Sequence, residues 1–266
     1  MIGKKVIEKT FCFRNWVCRC NYCRCGSFLT SVEPEGFPIL EYHKVNDYDN
    51  DPWTITPKDF AEQLDYLKKE GYTTITVLEY LNARKGEGKL PEKPLLITFD
   101  DGYRDNYTVA LPLLRERGMK GTIFIVTNDI GLKKYLTWDD LLELQEQKVE
   151  LGSHTANHLP LTEMSDEAAE EEMRVTKLIT TWHGLKKLFG FSYPNGAYKP
   201  EYAAMLKRQS FYCAVTGDPG LNTLKTRPYE LHRINIPRPK FGLLEFKLRL
   251  LKGKLYRYFN IDQHDE

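Results

Sequence analysis

Two short segments carry acidic and imidazole side chains in patterns that suit a metal ion. In the first, an apolar stretch ends at Phe99 and is followed at once by Asp100, Asp101 and Gly102. Two neighbouring carboxylates repel each other unless a cation neutralises at least one of them. Considered alone, the segment is equally typical of a strand that ends in an Asp-Gly turn.

The second segment places two imidazoles, those of His154 and His158, four residues apart after another apolar stretch. Imidazoles at this spacing can bind one metal ion together. The chain has six histidines in total, and finding two of them so close favours a functional pair over surface or capping histidines.

Together the two segments supply two imidazoles and one carboxylate for a divalent ion, with a further carboxylate left over. Such a site with open positions suits zinc, cobalt, nickel or iron. A bound metal lowers the pKa of its water to about 7 and polarises a carbonyl oxygen. The spare carboxylate can accept the proton of that water, so the set could hydrolyse an amide or an ester.

A third segment, Pro194-Asn195-Gly196, follows a short apolar run and predicts a turn. Such a turn can direct a backbone N–H group toward an oxyanion that develops during hydrolysis. An ordinary connecting turn is the alternative interpretation, because turns of this composition are common.

The elements that must position these residues follow from the alternation of short apolar runs with amphipathic segments. Most of the runs are apolar on both faces, as buried parallel strands are. The predicted strands are 39–42, 73–77, 95–99, 122–126, 150–152, 190–193, 212–215 and 231–236.

Helices are predicted between the strands, each with a start signal. Thr56 precedes Pro57, Thr137 and Ser165 stand before acidic residues, and Pro200 begins a fourth helix. Strand–helix alternation over about 200 residues favours a parallel α/β fold. Seven or eight such units suit an irregular (β/α) barrel of about seven strands better than an open sheet. In such barrels the chemistry lies at the carboxyl ends of the strands.

The three segments, in this order and about fifty residues apart, resemble the polysaccharide deacetylase family, also known as carbohydrate esterase family 4. Thr-Phe-Asp-Asp-Gly around Asp100 matches its first motif, and His-Thr-Ala-Asn-His from His154 matches its second. The resemblance implies an irregular (β/α) barrel and metal-dependent removal of acetyl groups from sugars. It also implies that Asp100 is the general base, while Asp101, His154 and His158 hold a divalent metal, with zinc the first choice.

A narrower resemblance, to the poly-N-acetylglucosamine deacetylase branch, covers most of residues 36–250. Segments 38–45, 136–139 and 231–236 carry it. It implies an N-acetylated polysaccharide as the substrate. His43, in the first of these segments, is a candidate for the substrate groove, with a buried, hydrogen-bonded histidine as the equal alternative.

The chain departs from the wider family at two catalytic positions. Ser192 stands where the family has an arginine that orients the catalytic base, and Arg233 is the candidate to replace that arginine. His232 follows a leucine, as the family's general acid does, although the narrower resemblance aligns Arg233 there instead. Asn195 corresponds to the residue whose backbone N–H stabilises the oxyanion.

Aromatic residues make up 12% of the chain, and their rings could stack on sugars. Most aromatic side chains nevertheless belong to protein cores. By proximity to the motifs, Trp138 and Tyr193 are the substrate-binding candidates.

The net charge of +1 hides an uneven distribution. Residues 1–25 carry a net +5 and residues 238–257 carry a net +6, so the remainder sums to −10. The near-neutral total gives no case for nucleic-acid binding. The basic ends could contact a membrane surface or an anionic polymer. Residues 241–258 interleave leucines with positive charge, which is equally consistent with a terminal helix packed on the barrel.

The first 35 residues form a basic leader that holds five of the six cysteines. Cys20 and Cys23 have the spacing of a zinc hairpin, but no second pair of ligands follows, and thiols without a specific role are the alternative. Neither a transmembrane stretch nor a clear signal peptide is recognisable.

We therefore expect three regions: leader 1–35 outside the fold, a catalytic barrel 36–258 that ends in a basic helix, and tail 259–266. The expected activity is metal-dependent de-N-acetylation of N-acetylglucosamine-containing polysaccharide, such as an exopolysaccharide. The alternatives are a deacetylase of peptidoglycan, chitin oligomers or a small N-acyl compound, and a non-catalytic carbohydrate-binding protein. The family predicts an extracytoplasmic or cell-surface location, and the oligomeric state stays open.

Overall fold

The structure is a computed structural model that describes residues 36–259 and residue 261. The predicted leader with its cysteine cluster lies outside the described residues, as does the predicted tail apart from Phe259 and Ile261. Within the described part of the chain, no helix is both long enough and apolar enough to cross a bilayer.

The strands are short, and every strand pair is parallel. They are β1 (Ile39–Tyr42), β2 (Lys44–Val45), β3 (Thr54–Ile55), β4 (Thr73–Thr74), β5 (Pro94–Phe99), β6 (Thr122–Ile125), β7 (Glu150–Ser153), β8 (Gly190–Ser192), β9 (Cys213–Val215) and β10 (Ile234–Asn235).

Seven strands form one curled sheet in the order β10-β1-β5-β6-β7-β8-β9, and β4 pairs with the first residues of β5. A parallel bridge between Val215 and Leu231 joins the end of β9 to the segment that leads into β10. The sheet therefore curls back toward its own first edge. The predicted irregular (β/α) barrel is confirmed.

Seven α-helices accompany the sheet among the described residues. They are α1 (Pro57–Lys69), α2 (Val77–Arg84), α3 (Leu111–Glu116), α4 (Trp138–Glu146), α5 (Asp166–Trp182), α6 (Tyr202–Arg208) and α7 (Leu243–Tyr258). The Thr56, Thr137 and Ser165 side chains accept hydrogen bonds from backbone N–H groups of α1, α4 and α5, so these three predicted N-caps are confirmed. The fourth predicted helix corresponds to α6, which begins at Tyr202, two residues after the predicted start at Pro200.

The predicted strand 73–77 is too long, because it ends at Thr74 and α2 begins at Val77. Thr76 and Glu79 form a reciprocal capping box at this point, a pattern that was readable in the sequence as Thr-x-x-Glu. A π-helical turn at Asn106–Ala110 leads into α3, and both were unpredicted. The predicted strand 231–236 is reduced to Ile234–Asn235.

Both faces of the sheet carry buried apolar side chains, as the sequence pattern predicts. Leu40 and Ile97 belong to the larger cluster, which also includes side chains of the helices, whereas Ile39 and Leu96 belong to a smaller cluster on the opposite face. Alternate residues of a strand share a face. The face that carries Ile39 and Leu96 therefore also carries the polar residues that follow two and four positions later, at the carboxyl ends of β1 and β5.

Candidate active site

The carboxyl ends of the parallel strands meet at one cavity of about 450 Å³, a volume within the usual range for small-ligand sites. The cavity is lined by Glu41, His43, Trp53, Asp100, Asp101, Tyr103, Asp129, Tyr135, His154, His158, Asn195, Gly196, Gly217, Arg233 and Asn235. Many of these residues end or directly follow strands β1, β5, β7, β8 and β10. In parallel (β/α) barrels, active sites lie at this carboxyl end of the strands.

Asp101, His154 and His158 form a cluster that could hold a metal ion. One ligand atom from each side chain lies within 4.8 Å of the others, and Asp101 Oδ1 is 3.6 Å from Nε2 of both histidines. Burial and the charge of Asp100 raise the pKa of Asp101 to about 7. An anionic Asp101 therefore needs a cation, and this donor set fits zinc, cobalt, nickel or iron.

The tautomer of His154 is fixed by the strand next to it. Its Nδ1 lies 2.8 Å from the backbone oxygen of Ser192, and a carbonyl oxygen can only accept a hydrogen bond. The proton therefore sits on Nδ1, and Nε2 presents a lone pair to the Asp101 side. Burial lowers the pKa of His154 to about 4, which keeps the ring neutral, as a metal ligand must be.

Backbone conformation lets two adjacent carboxylates face the same cavity. Successive side chains of a strand point to opposite faces, but Asp101 has a φ of 72° and Gly102 a φ of 78°, so the chain turns directly after Asp100. A Cβ on Gly102 would lie 3.2 Å from Ile125 Cγ2. Glycine at this position therefore allows the tight turn and the close approach to β6.

Asp100 is buried and held by two donors. Arg233 Nη1 donates to its carboxylate at 2.8 Å, and Ser192 Oγ donates at 3.0 Å. Burial alone would raise the pKa of Asp100, but the charges of Arg233, His154 and His43 and the Arg233 hydrogen bond together lower it to about 2. Asp100 is therefore an oriented, ionised carboxylate beside the metal-type cluster.

Glu41 is a site residue that the sequence argument did not single out. It lies on the same face of β1 as His43, and its Oε2 is 3.3 Å from Arg233 Nε. Burial raises its pKa to about 7, with the charges of Asp100 and Asp101 acting in the same direction and Arg233 opposing them. The sequence did hold a signal for it: Glu41 lies two positions before His43, and residues two apart in a strand share a face.

A second group of potential ligands, Glu41, His43 and Asp100, also has donor atoms within 4.8 Å of one another. Arg233 contacts both carboxylates of this group. Its guanidinium already supplies the positive charge there. Of the two groups, Asp101, His154 and His158 are therefore the better fit for a metal ion.

His43 lies in the cavity, with its Nε2 3.9 Å from Glu41 Oε1. Its ring packs against Trp53 at a centroid distance of 4.8 Å. Burial lowers the pKa of His43 to about 4. Of the two interpretations of this residue, the cavity-lining one agrees with its position.

Three other candidates do not lie in the cavity. His232 is fully buried, because it faces away from the cavity in an extended segment whose next residue, Arg233, faces into it. Tyr193 is also fully buried, with its hydroxyl donating to the backbone oxygen of Tyr229. Trp138 stacks on His183 at a ring distance of 3.7 Å, in a contact between α4 and the end of α5. The structure therefore does not support a general-acid role for His232 or substrate contacts by Tyr193 and Trp138.

Asn195 lines the cavity and has a left-handed conformation, with φ 58° and ψ 12°. Asparagine tolerates this region better than most residues. The next residue, Gly196, packs so closely on Gly217 that a Cβ would lie 2.3 Å from backbone atoms. The turn that carries Asn195 is therefore tightly constrained.

A seven-stranded parallel barrel that carries a His–His–Asp cluster and an oriented carboxylate at its carboxyl end could bind a metal ion and hydrolyse an amide or an ester. Comparison with known proteins identifies the family. A family model for polysaccharide deacetylase matches residues 87–214. The chain is 31% identical over 211 residues to YxkH of Bacillus subtilis, which is named for the same family, covering 79% of this chain and 75% of YxkH. The chain belongs to the polysaccharide deacetylase family.

Two further similarities bear on the branch. The poly-beta-1,6-N-acetyl-D-glucosamine N-deacetylase of Staphylococcus epidermidis is 23% identical over 233 residues, which cover 77% of this chain and 80% of that protein. The structure of the Streptococcus pyogenes deacetylase PplD in complex with acetate matches with a TM-score of 0.73 at 26% identity, covering 83% of this chain and 99% of PplD.

Proposed function

We propose that this protein is a metal-dependent deacetylase that removes N-acetyl groups from N-acetylglucosamine-containing polysaccharide. The observation that carries the proposal is the cavity itself, in which Asp101, His154 and His158 lie beside an Asp100 held by Arg233. Membership of the polysaccharide deacetylase family supports the same reaction class.

The metal would be held by Asp101, His154 and His158, with zinc the first choice and cobalt, nickel or iron as alternatives. When bound, such an ion polarises a carbonyl oxygen and makes water more acidic. The raised pKa of Asp101 and the neutral, Nδ1-protonated ring of His154 support this assignment.

Asp100 is the proposed general base. Its carboxylate accepts the proton of the attacking water, and its low pKa keeps it ionised across the physiological range. Arg233 and Ser192 hold the carboxylate in one orientation. Arg233 thereby supplies the orientation that the wider family obtains from an arginine at the position of Ser192.

The amide nitrogen must gain a proton when the C–N bond breaks. His232 is buried outside the cavity, whereas His43 and Glu41 face it together, with His43 Nε2 3.9 Å from Glu41 Oε1. We assign the proton donor to this pair. Asn195 would donate its backbone N–H to the tetrahedral oxyanion.

Aromatic side chains that line the cavity suit a sugar substrate. Trp53 is 48% exposed, and Tyr103 and Tyr135 stack on each other at the cavity wall. Sugar rings pack against such faces, so Trp53, Tyr103 and Tyr135 replace Trp138 and Tyr193 as the substrate-binding candidates. The Staphylococcus epidermidis relative favours a poly-N-acetylglucosamine substrate; peptidoglycan, chitin oligomers and small N-acyl compounds are the alternatives.

Acetate release from a panel of acetylated glycans, with and without a chelator, tests the proposal. The wild type should release acetate from poly-N-acetylglucosamine oligomers, and the chelator should abolish this release until zinc is restored. Asp100→Asn should lower kcat by about 10³-fold while zinc still binds, because the base is lost and the metal ligands remain. His154→Ala should lose zinc first.

Two outcomes would contradict this function. Near-normal acetate release by Asp100→Asn at saturating zinc would remove the base assignment. Glycan binding by the wild type without acetate release, on every member of the panel, would favour the non-catalytic carbohydrate-binding alternative. Release only from peptidoglycan or chitin oligomers would keep the chemistry and change the substrate.

A further inference from the structure

Helix α7 has two apolar faces, and only one of them packs on the barrel. Phe246, Leu250 and Gly253 are buried, and Phe246 contacts the Tyr66 ring of α1 edge-on at 6.1 Å. A Cβ on Gly253 would lie 2.6 Å from Ile234 Cδ1. The close approach at glycine fixes which side of the helix faces the barrel.

The opposite side of α7 carries a row of exposed leucines. Leu244, Leu248, Leu251 and Leu255 are 61%, 55%, 50% and 45% exposed. At about 100° per residue they lie within an arc of about 60°, roughly opposite the buried face. Single exposed leucines are ordinary, but an aligned row forms a continuous apolar patch, and such patches mark contact surfaces. We call these four residues the leucine row.

Positive charges border the leucine row on both sides. On the helical wheel Lys247 and Lys254 lie at one edge and Lys252 at the other, and all three are exposed. The helix carries five basic residues and one acidic residue, a net of +4. The acidic residue, Glu245, is paired with Arg249 on the same helix at 2.9 Å. The borders of the row are therefore cationic.

We propose that the leucine row and its bordering lysines dock this protein on an anionic lipid surface. An apolar stripe flanked by lysines is the arrangement by which helices lie in a membrane interface, with leucines among the acyl chains and ammonium groups at the headgroups. A second copy of the same helix is a poorer occupant, because pairing two rows would bring their lysine borders together, and the one acid of each helix, Glu245, is already paired with Arg249. The proposal does not depend on the reaction assigned above.

Vesicle sedimentation tests the proposal with the full chain. The probes are vesicles of phosphatidylcholine alone and vesicles with about one third phosphatidylglycerol. The wild type should bind the anionic vesicles and bind neutral ones much more weakly, with less binding at high salt. Leu248→Ser/Leu251→Ser should weaken partitioning by at least about tenfold, since both leucines leave the acyl region. Lys247→Gln/Lys252→Gln/Lys254→Gln should weaken it by about 100-fold on anionic vesicles, at about fivefold per lysine.

Matched controls keep the surface changes comparable. Leu178→Ser removes a leucine that is 57% exposed on α5, and Lys186→Gln/Lys187→Gln removes two exposed lysines elsewhere; both should bind like the wild type. Thermal unfolding identifies any variant that fails to fold, and the lysine variant remains informative if the leucine variant does so. Acetate release from soluble oligomers should stay unchanged, which separates this proposal from the catalytic one.

Three results would overturn the proposal. One is a wild type that binds neither vesicle. Another is binding of the leucine and lysine variants as strong as that of the wild type, which would assign binding to another part of the chain. A dimer that Leu248→Ser/Leu251→Ser dissociates, without vesicle binding, would assign the leucine row to a second copy.

Discussion

At the scale of single residues, Arg233 determines which carboxylates of the site are ionised. Its guanidinium is fully buried and contacts both Asp100 and Glu41, so one fixed cation faces two carboxylates. Ionising both carboxylates leaves the buried group with a net negative charge, which is costly in a low-dielectric environment. Asp100 stays ionised, with a pKa of about 2. Glu41 avoids the second charge by keeping its proton, because its pKa is raised to about 7.

Glu41→Gln tests this balance in metal-free protein. Because the folded pKa of Glu41 is above its value of 4.5 when unfolded, the folded state holds the proton more tightly. Glu41 should therefore cost the wild type increasing stability as pH rises from about 4.5 to about 7. Glutamine does not titrate, so the free energy of unfolding of Glu41→Gln relative to wild type should increase by about 1–3 kcal/mol between pH 5 and pH 8.

Urea unfolding at the two pH values, with a chelator present, measures that difference. Glu163→Gln, which removes an exposed carboxylate elsewhere in the chain, is the matched control. A Glu41→Gln difference that changes with pH no more than that of the control would contradict the raised pKa of Glu41.

At the scale of elements, the site is assembled by strand alternation and turns. Glu41 and His43 share one face of β1 and its extension, and Arg233 and Asn235 share one face at β10. Tyr42 lies between the first two and Ile234 between the second two, and both are buried in the larger apolar cluster on the other face. The same alternation separates Ser192, which contacts Asp100, from Tyr193, which does not reach the cavity. Tyr193 was chosen for its proximity to the motif in the sequence. The two-residue repeat of a strand, counted from Ser192, places Tyr193 on the opposite face.

The packing of α7 against the barrel gives a second prediction, which concerns Gly253. Replacing a helical glycine by alanine stabilises a helix by up to about 1 kcal/mol, but here the added Cβ would meet Ile234 Cδ1 at 2.6 Å. Overpacking of this kind costs about 1–3 kcal/mol. Gly253→Ala should therefore be destabilising by about 1 kcal/mol overall, as measured by urea unfolding.

Ile234→Val supplies the control for Gly253→Ala, because it removes the Cδ1 atom that the new Cβ would meet. In the Ile234→Val background, Gly253→Ala should be neutral or stabilising by about 1 kcal/mol. Equal destabilisation in both backgrounds would mean that the Cβ does not contact Ile234, and that α7 sits farther from the barrel.

At the scale of the whole molecule, the sequence predicted residues that stand in short motifs. It left open the contacts that form only when the sheet curls and brings distant segments together. Asp100, Asp101, His154 and His158 stand in short motifs after apolar runs, so their types and spacing were readable. Arg233 was a candidate to orient Asp100 only through the family resemblance, because Asp100 lies 133 residues away in the sequence and only the curled sheet brings the two together. The cavity aromatics Trp53, Tyr103 and Tyr135 lack a motif of their own for the same reason. Trp138 lies outside the cavity because its helix directs the ring to His183.

The last prediction concerns the metal and the stability of the whole barrel. Asp101 follows β5 and the two histidines follow β7, so an ion between them would link strands of the folded state that separate on unfolding. A ligand at about 100 times its Kd stabilises the folded state by about 2.7 kcal/mol. For a domain of this size that corresponds to a rise in Tm of about 5–11 °C. Adding zinc to chelator-treated protein should therefore raise Tm by that amount in a thermal scan.

Two histidine variants decide whether such a rise comes from the barrel site. The leader cysteines could also bind zinc, whether the barrel is folded or unfolded, and binding to the unfolded state reduces the shift. This contribution is the same in His154→Ala, which loses a ligand, and in His183→Ala, whose imidazole stacks on Trp138 away from the cavity. The zinc-dependent rise should disappear in His154→Ala and persist in His183→Ala, even where His183→Ala lowers the starting Tm. An equal rise in both variants would place the stabilising zinc elsewhere in the chain, because His154 lies beside Asp101 and His183 does not.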